Sequence, residues 1–201
     1  MTQPASRRDE LLQLAATMFA ERGLKATTVR DIADSAGILS GSLYHHFKSK
    51  EQMVEEVLRD FLDWLFDSYQ QVLATETTPL DRLKGLFMAS FEAIEHRHAQ
   101  VVIYQDEAKR LSPLPQFGFV DDRNREQRKM WIDLLHDGIA DGTFRPDLDV
   151  DLVYRFIRDT TWVSVRWYQP GGPLTAEEVG RQYLAIVLGG ITISIKENVH
   201  G

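Results

Sequence analysis

The chain has 201 residues, of which 43% are apolar, with ten Phe and four Trp; that fills one or two packed cores and excludes a disordered chain. Cysteine is absent, which removes disulfides, thiolate metal sites and cysteine nucleophiles and suits a reducing compartment, with the cytoplasm as the expected location. The net charge of −7 argues against a non-specific coat on nucleic acid, yet residues 1–50 carry seven Lys/Arg against five Asp/Glu, a balance of +2, and the remainder carries −9. A cationic head on an acidic body still binds a polyanion locally, because salt screens charges beyond about 8 Å. No apolar run reaches the roughly 18–20 uncharged residues of a membrane span, and residues 1–8 lead into an amphipathic stretch rather than a signal-peptide core.

Apolar residues recur at spacings of three and four along nearly the whole chain, and no stretch alternates at two for more than a few residues, so the fold is all-α. The first helix is predicted over 6–22, with Leu11, Leu14, Ala15, Met18 and Phe19 on one face and Gly23 as its stop. A second starts at Thr27 or Thr28 as N-cap and turns Val29, Ile32 and Ala33 inward before Gly37 ends it. The short Ile38-Leu39 link precedes a brief helix over 40–46. Ser49 and Gln52 form a capping box for a long fourth helix ending near residue 73, about 37 Å in length. Thr77-Thr78-Pro79 separates it from a helix over 80–97, with another over 98–111. Ser112-Pro113-Leu114-Pro115 breaks the chain before a helix that begins at Gln116 or Phe119 and stops at Ala140, ahead of Gly142. Asp149 or Asp151 caps a helix to about residue 168, a Pro- and Gly-rich loop covers 169–173, and Thr175 with Glu178 caps a last helix to about residue 193.

Residues 27–47 have the plan of a helix-turn-helix: a capped helix, glycine at a tight turn, and a second short helix with polar residues outward. Ser40, Ser42, Tyr44, His45 and His46 offer hydrogen-bonding groups of mixed reach, while Leu43 and Phe47, four apart, point into the core. Gly41 lets backbone approach a groove closely. Thr27 or Thr28 at one helix start, with Lys48 and Lys50 at another, suit phosphate. By spacing alone the pattern fits a DNA reader and an ordinary polar helix pair about equally. Adjacent histidines on a helix point about 100° apart, so His45-His46 is not read as a metal pair.

The run Ala26-Thr27-Thr28-Val29-Arg30-Asp31-Ile32-Ala33 through Gly37, followed by Gly41-Ser42-Leu43-Tyr44-His45-His46-Phe47-Lys48-Ser49-Lys50-Glu51, resembles the DNA-binding signature of the TetR family of repressors. The resemblance implies an all-α, nine-helix homodimer, with a three-helix DNA-binding domain (1–50) and a helical bundle for ligand binding and dimerisation (51–201). The residues expected to contact DNA are Thr27, Thr28, Arg30, Ser40, Gly41, Ser42, Tyr44, His45, Lys48 and Lys50; His45 departs from the Tyr often found at its position. Over residues 6–191 the chain also resembles an actinobacterial branch of the family that controls the later, ring-degrading steps of cholesterol catabolism, especially in Phe87-Met88-Ala89-Ser90-Phe91-Glu92-Ala93-Ile94-Glu95 and over 154–168. That likeness implies a steroid-derived CoA thioester as the inducer that releases operator DNA.

Independent of any family, the helix beginning near residue 149 carries Tyr154, Arg158, Thr161, Trp162, Val165 and Arg166 as one stripe. Buried arginines need partners, so Arg158 and Arg166 are expected to meet a carboxylate (Asp106 or Glu107), solvent or an anionic ligand. A CoA thioester offers phosphates to the arginines and an apolar acyl group to Trp162. Tyr104, Gln105, Met88, Phe91, Phe66 and Trp131 are candidates for the apolar wall, although each taken singly suits plain core. Arg123, Arg125, Arg128 and Lys129 form a basic cluster that either draws in phosphates or is a solvated face.

Dimerisation is expected from the geometry of two-fold DNA sites, and Val179, Tyr183, Ile186, Val187 and Gly190 supply an apolar stripe for the seam or an ordinary internal face. The rival reading is a helical acyl-CoA enzyme such as a thioesterase. Against it, the sequence has no Gly-x-Ser-x-Gly elbow, no His-Glu-x-x-His and no phosphate-binding Gly-rich loop, and His96 and His98 do not share a helix face. No enzyme activity, cofactor or metal is expected; a third reading is a helical adaptor for another protein.

Overall fold

A computed structural model describes residues 6–193; the extreme ends of the two expected domains, 1–5 and 194–201, lie outside the described residues. Among the described residues there are nine α-helices: α1 (Arg7–Arg22), α2 (Val29–Ser35), α3 (Ser40–His46), α4 (Lys50–Thr75), α5 (Pro79–His96), α6 (His98–Leu111), α7 (Gly118–Ala140), α8 (Val150–Val163) and α9 (Ala176–Ile191). Two 3-10 turns lie at Pro115–Phe117 and Ser164–Arg166. The one β-type pairing among these residues is an isolated antiparallel bridge from Phe144 to Thr192.

Capping chemistry explains most of the helix starts. Ser6 with Asp9, Thr28 with Asp31 and Thr175 with Glu178 are complete capping boxes, and the Asp149 carboxylate accepts from the N–H of Leu152. In each box the carboxylate takes two bonds from its partner, so Asp9, Asp31 and Glu178 are all held below the usual carboxylate range. The box expected at α4 is only half formed. Ser49 Oγ accepts from the N–H of Gln52, but the Gln52 side chain accepts from Lys48, one residue earlier than expected (2.7 Å).

Two compact units divide the chain. Among the described residues, one comprises 6–64 and 97–123, the other 65–96 and 124–193. This grouping differs from a cut at residue 50: α6 packs on α1 and so joins the N-terminal helices, while α4 and α7 contribute to both units.

Within the first unit, α1 packs on α2, and α2 on α3, around buried Leu11, Ala15, Phe19, Ile32, Ala33, Leu43 and Phe47. Leu12, rather than the expected Leu14, completes the buried stripe of α1, and Leu14 is half-buried. Gly37 makes the turn between α2 and α3 with φ of 68°, a left-handed conformation that other L-residues rarely adopt. Ion pairs lace the unit: Arg8 to Glu56 and Arg123 to Asp63, each at 2.7 Å.

The second unit centres on α5, which packs against α8 and α9. Its core is aromatic. Trp131 meets Tyr69 and Phe87 edge-on at 6.0 and 5.6 Å, and Tyr183 meets Phe87 and Phe91 at 5.5 and 6.3 Å. Gly180 permits this approach of α9, because a Cβ there would lie 2.9–3.3 Å from Phe91. α8 stops at Val163, short of the predicted residue 168, because the chain tightens into the 3-10 turn.

Candidate functional site

The helix-turn-helix is assembled by local bonds that separate two adjacent threonines. Thr28 is exposed and caps α2, its hydroxyl accepting from the N–H of Asp31 at 3.1 Å. Thr27 is fully buried, and its hydroxyl donates to the carbonyls of Gly23 and Met18 (3.0 and 3.3 Å). It therefore fixes the link from α1 to α2 and has no surface to offer a duplex, contrary to the sequence expectation. Lys50 departs in the same way. Its ammonium is turned to the carbonyls of Leu24 and Thr27 at 2.6 and 2.9 Å, tying the start of α4 to the α1–α2 link rather than reaching outward.

The remaining candidates share an open surface. Gly41, Ser42, Tyr44, His45 and His46 are exposed on α3, with Ser40 half-buried at its start and Lys48 exposed just beyond. Arg30 is exposed on α2, its guanidinium 3.7 Å from Asp34, a distance at which an exposed pair contributes little. Leu43, fully buried, anchors the opposite side of α3. The result is a short rod with one apolar attachment line and a face of hydroxyl, imidazole and phenol groups, which is the chemistry that reads base edges and phosphates.

In the second unit, Arg158 lies on α8. Its partner is the next residue, Asp159, at 2.7 Å, and its guanidinium lies 5.7 Å from the ring centroid of Tyr154. On α6, in the first unit, Glu107 pairs with Arg110. Burial pushes the Tyr154 hydroxyl up, with Arg158 opposing. Arg166 is exposed and Trp162 buried. Phe91 and Trp131 belong to the aromatic cluster, while Met88 and Phe66 are half-buried. Tyr104 and Gln105, on α6, belong to the first unit, where Tyr104 tilts against Phe61 at 5.9 Å. In the basic cluster, Arg123 pairs with Asp63, Arg128 with Asp151 and Lys129 with Asp133.

Sequence reasoning missed a groove of ≈ 730 Å³ between α8 and α9, lined by Phe91, Thr160, Ser164, Trp167, Leu174, Tyr183 and Ile186 among others. One signal was available. Thr160, Ser164 and Trp167 follow each other at four and three, and Val179, Tyr183 and Ile186 do the same. The loop beside it is pinned by Glu95, whose carboxylate accepts from the Tyr168 hydroxyl and from the N–H of Ala176 (2.9 Å). Burial, and then that bond, push the Tyr168 hydroxyl up to about 12. Around the groove, Phe156, Trp167, Leu174 and Ile186 are exposed by 53–73%, a concentration of apolar surface beyond what scattered residues produce.

Family models match both parts of the chain: "Bacterial regulatory proteins, tetR family" over residues 11–57 and "Tetracyclin repressor-like, C-terminal domain" over 76–191. The chain belongs to the TetR family and is a transcriptional repressor, not an enzyme. It is 86% identical to the HTH-type transcriptional repressor KstR2 of Mycolicibacterium smegmatis over 193 residues, covering 96% of this chain and 94% of that protein. Identity to KstR2 of Mycobacterium tuberculosis is 75% over 190 residues, 94% of this chain and 95% of that one. The solved structure of the ketosteroid transcriptional regulator KstR2 of Mycobacterium tuberculosis superposes with a TM-score of 0.93 at 74% identity, covering 95% of this chain and 97% of that one. No helix among the described residues is long and apolar enough to cross a membrane.

Proposed function

We propose that the chain is a cytoplasmic, homodimeric repressor that holds operator DNA through residues 1–50 and lets go when the remainder binds a CoA thioester of a partly degraded steroid. The observation that carries this reading is the exposed polar face of α3 beside a buried apolar line, in a chain so close to KstR2 repressors. The 74% identical relative of solved structure is a ketosteroid transcriptional regulator, which supports the ligand class. Thr28, Arg30, Ser40, Gly41, Ser42, Tyr44, His45 and Lys48 are the proposed DNA contacts, with Thr27 and Lys50 acting as braces.

Exposed Arg158 and Arg166 suit the anionic CoA portion. Trp162, Phe91, Trp131, Met88 and Phe66, all of the second unit, suit the fused-ring acyl group. Exposed Phe156 on α8 and Ile186 on α9, with Trp167 just past the 3-10 turn, support this face as the dimer seam. Release requires the ligand to prefer one of two states by about 5.5 kcal/mol for a 1:99 to 99:1 reversal. The long α4 is the proposed lever, since it is a single helix that contributes to both units.

The test is a gel shift with a two-fold duplex selected by the protein from a random pool, titrated with steroid-derived CoA thioesters and with free CoA. Release by the thioester alone, blunted in Arg158→Ala while duplex binding persists, is the expected result. An unchanged dose for release in Arg158→Ala removes that residue from the ligand site, and no release by any thioester overturns the ligand class.

A further inference from the structure

The residue that leads into α3 breaks the pattern set by other helices of the chain. α1, α2, α8 and α9 are entered through Ser6, Thr28, Asp149 and Thr175, each of which accepts a backbone N–H. α3 is entered through Leu39, in extended backbone, with no side-chain cap. Apolar residues are strongly disfavoured there, because they leave a backbone N–H without its usual partner.

Packing does not explain the choice. Leu39 is 80% exposed, the most of any large apolar side chain among the described residues. The staple positions that often fix such an entry, one residue before the cap and four after it, are filled by Ile38 and Leu43 instead. α6 also begins at an uncapped residue, Arg97, but there the guanidinium lies 5.2 Å from the ring centroid of Trp64. Leu39 is neither cap nor core.

The residues that follow indicate what it faces. Gly41 is open as well: a Cβ added to it would meet nothing within 4 Å, so the chain's own packing does not demand glycine. Two departures from local helix stability, at residues 39 and 41, therefore lie where a recognition helix first meets base edges. Hydroxyls and imidazole on this face read donors and acceptors. The apolar feature that the major groove offers is the C5-methyl of thymine, and an exposed leucine is suited to it.

We infer that Leu39 is a specificity residue that packs on the methyl group of a thymine in each operator half-site, a contact that rests on α3 being the DNA reader. In the test, each thymine of the selected duplex is replaced singly by deoxyuridine, which lacks only the methyl. At one thymine per half-site the replacement should weaken binding of the full-length wild type by about fourfold, the worth of one methyl-sized burial. In Leu39→Ser the same replacement should have no effect. Leu39→Ser also restores a capping hydroxyl, so its melting temperature should rise, which separates lost discrimination from misfolding. If all deoxyuridine replacements act equally on wild type and Leu39→Ser, or if the variant melts lower, the inference is overturned. Retention of the unmodified duplex by wild type is a separate readout and tests α3 as the reader.

Discussion

The α3 rod and the α8–α9 surface both expose side chains that an isolated fold has no use for, but they do so in opposite chemical terms. On α3 the exposed groups are Ser42, Tyr44, His45 and His46, on a helix weakened by an uncapped start and an internal glycine. On α8 and α9 they are Phe156 and Ile186, on helices entered through Asp149 and a full Thr175–Glu178 capping box. The difference teaches what each surface waits for. A polar rod with little stability of its own suits a charged partner that supplies the missing contacts, whereas an apolar face on well-capped helices suits burial against another apolar face.

The largest expected effect comes from spoiling the apolar face. Ile186→Asp combined with Phe156→Asp should convert a dimer to monomers in sedimentation and weaken duplex binding by on the order of 30-fold or more, the scale of a hot-spot loss. A dimer that survives both changes would place the seam elsewhere. On the opposite side of the comparison, Tyr44→Ala should weaken duplex binding about tenfold with little change in melting temperature, because Tyr44 is 54% exposed. Gly41→Ala should separate the two properties more cleanly. It should raise stability by about 0.5–1 kcal/mol, as glycine-to-alanine does inside helices, while lowering duplex affinity. Greater stability with undiminished affinity would show that backbone approach at Gly41 is irrelevant to DNA.

Most of the fold was legible in the sequence because its punctuation is local. Ser6, Thr28, Asp149, Thr175, Pro79 and Gly142 mark helix ends through bonds or dihedral limits that involve residues close in sequence. What could not be read depends on distant partners. Thr27 and Thr28 are chemically the same, and only the carbonyls of Met18 and Gly23 decide that the first is buried. Lys50 looks like any surface lysine until the carbonyls of Leu24 and Thr27 are placed beside it. The grouping of α6 with α1 and the opening of a groove between α8 and α9 are likewise properties of packing, which periodicity leaves undetermined.

The smallest effect, a narrowing with pH, concerns the capping boxes of α1, α2 and α9. Asp9, Asp31 and Glu178 have folded-state values depressed below those of the open chain, chiefly by bonds from their Ser or Thr partners. Their contribution to stability is therefore full above the unfolded carboxylate range and declines as pH falls through the lowered folded values, because the unfolded chain binds those protons more readily. Thr28→Ala should lower stability at neutral pH by about 1 kcal/mol, the worth of one cap. The gap between wild type and Thr28→Ala should then narrow in acid, as Asp31 loses the charge that holds the box together. A gap that stays constant from neutral pH down to about pH 3, below the ordinary aspartate value, would mean that the hydroxyl alone caps α2 and that the carboxylate merely sits beside it.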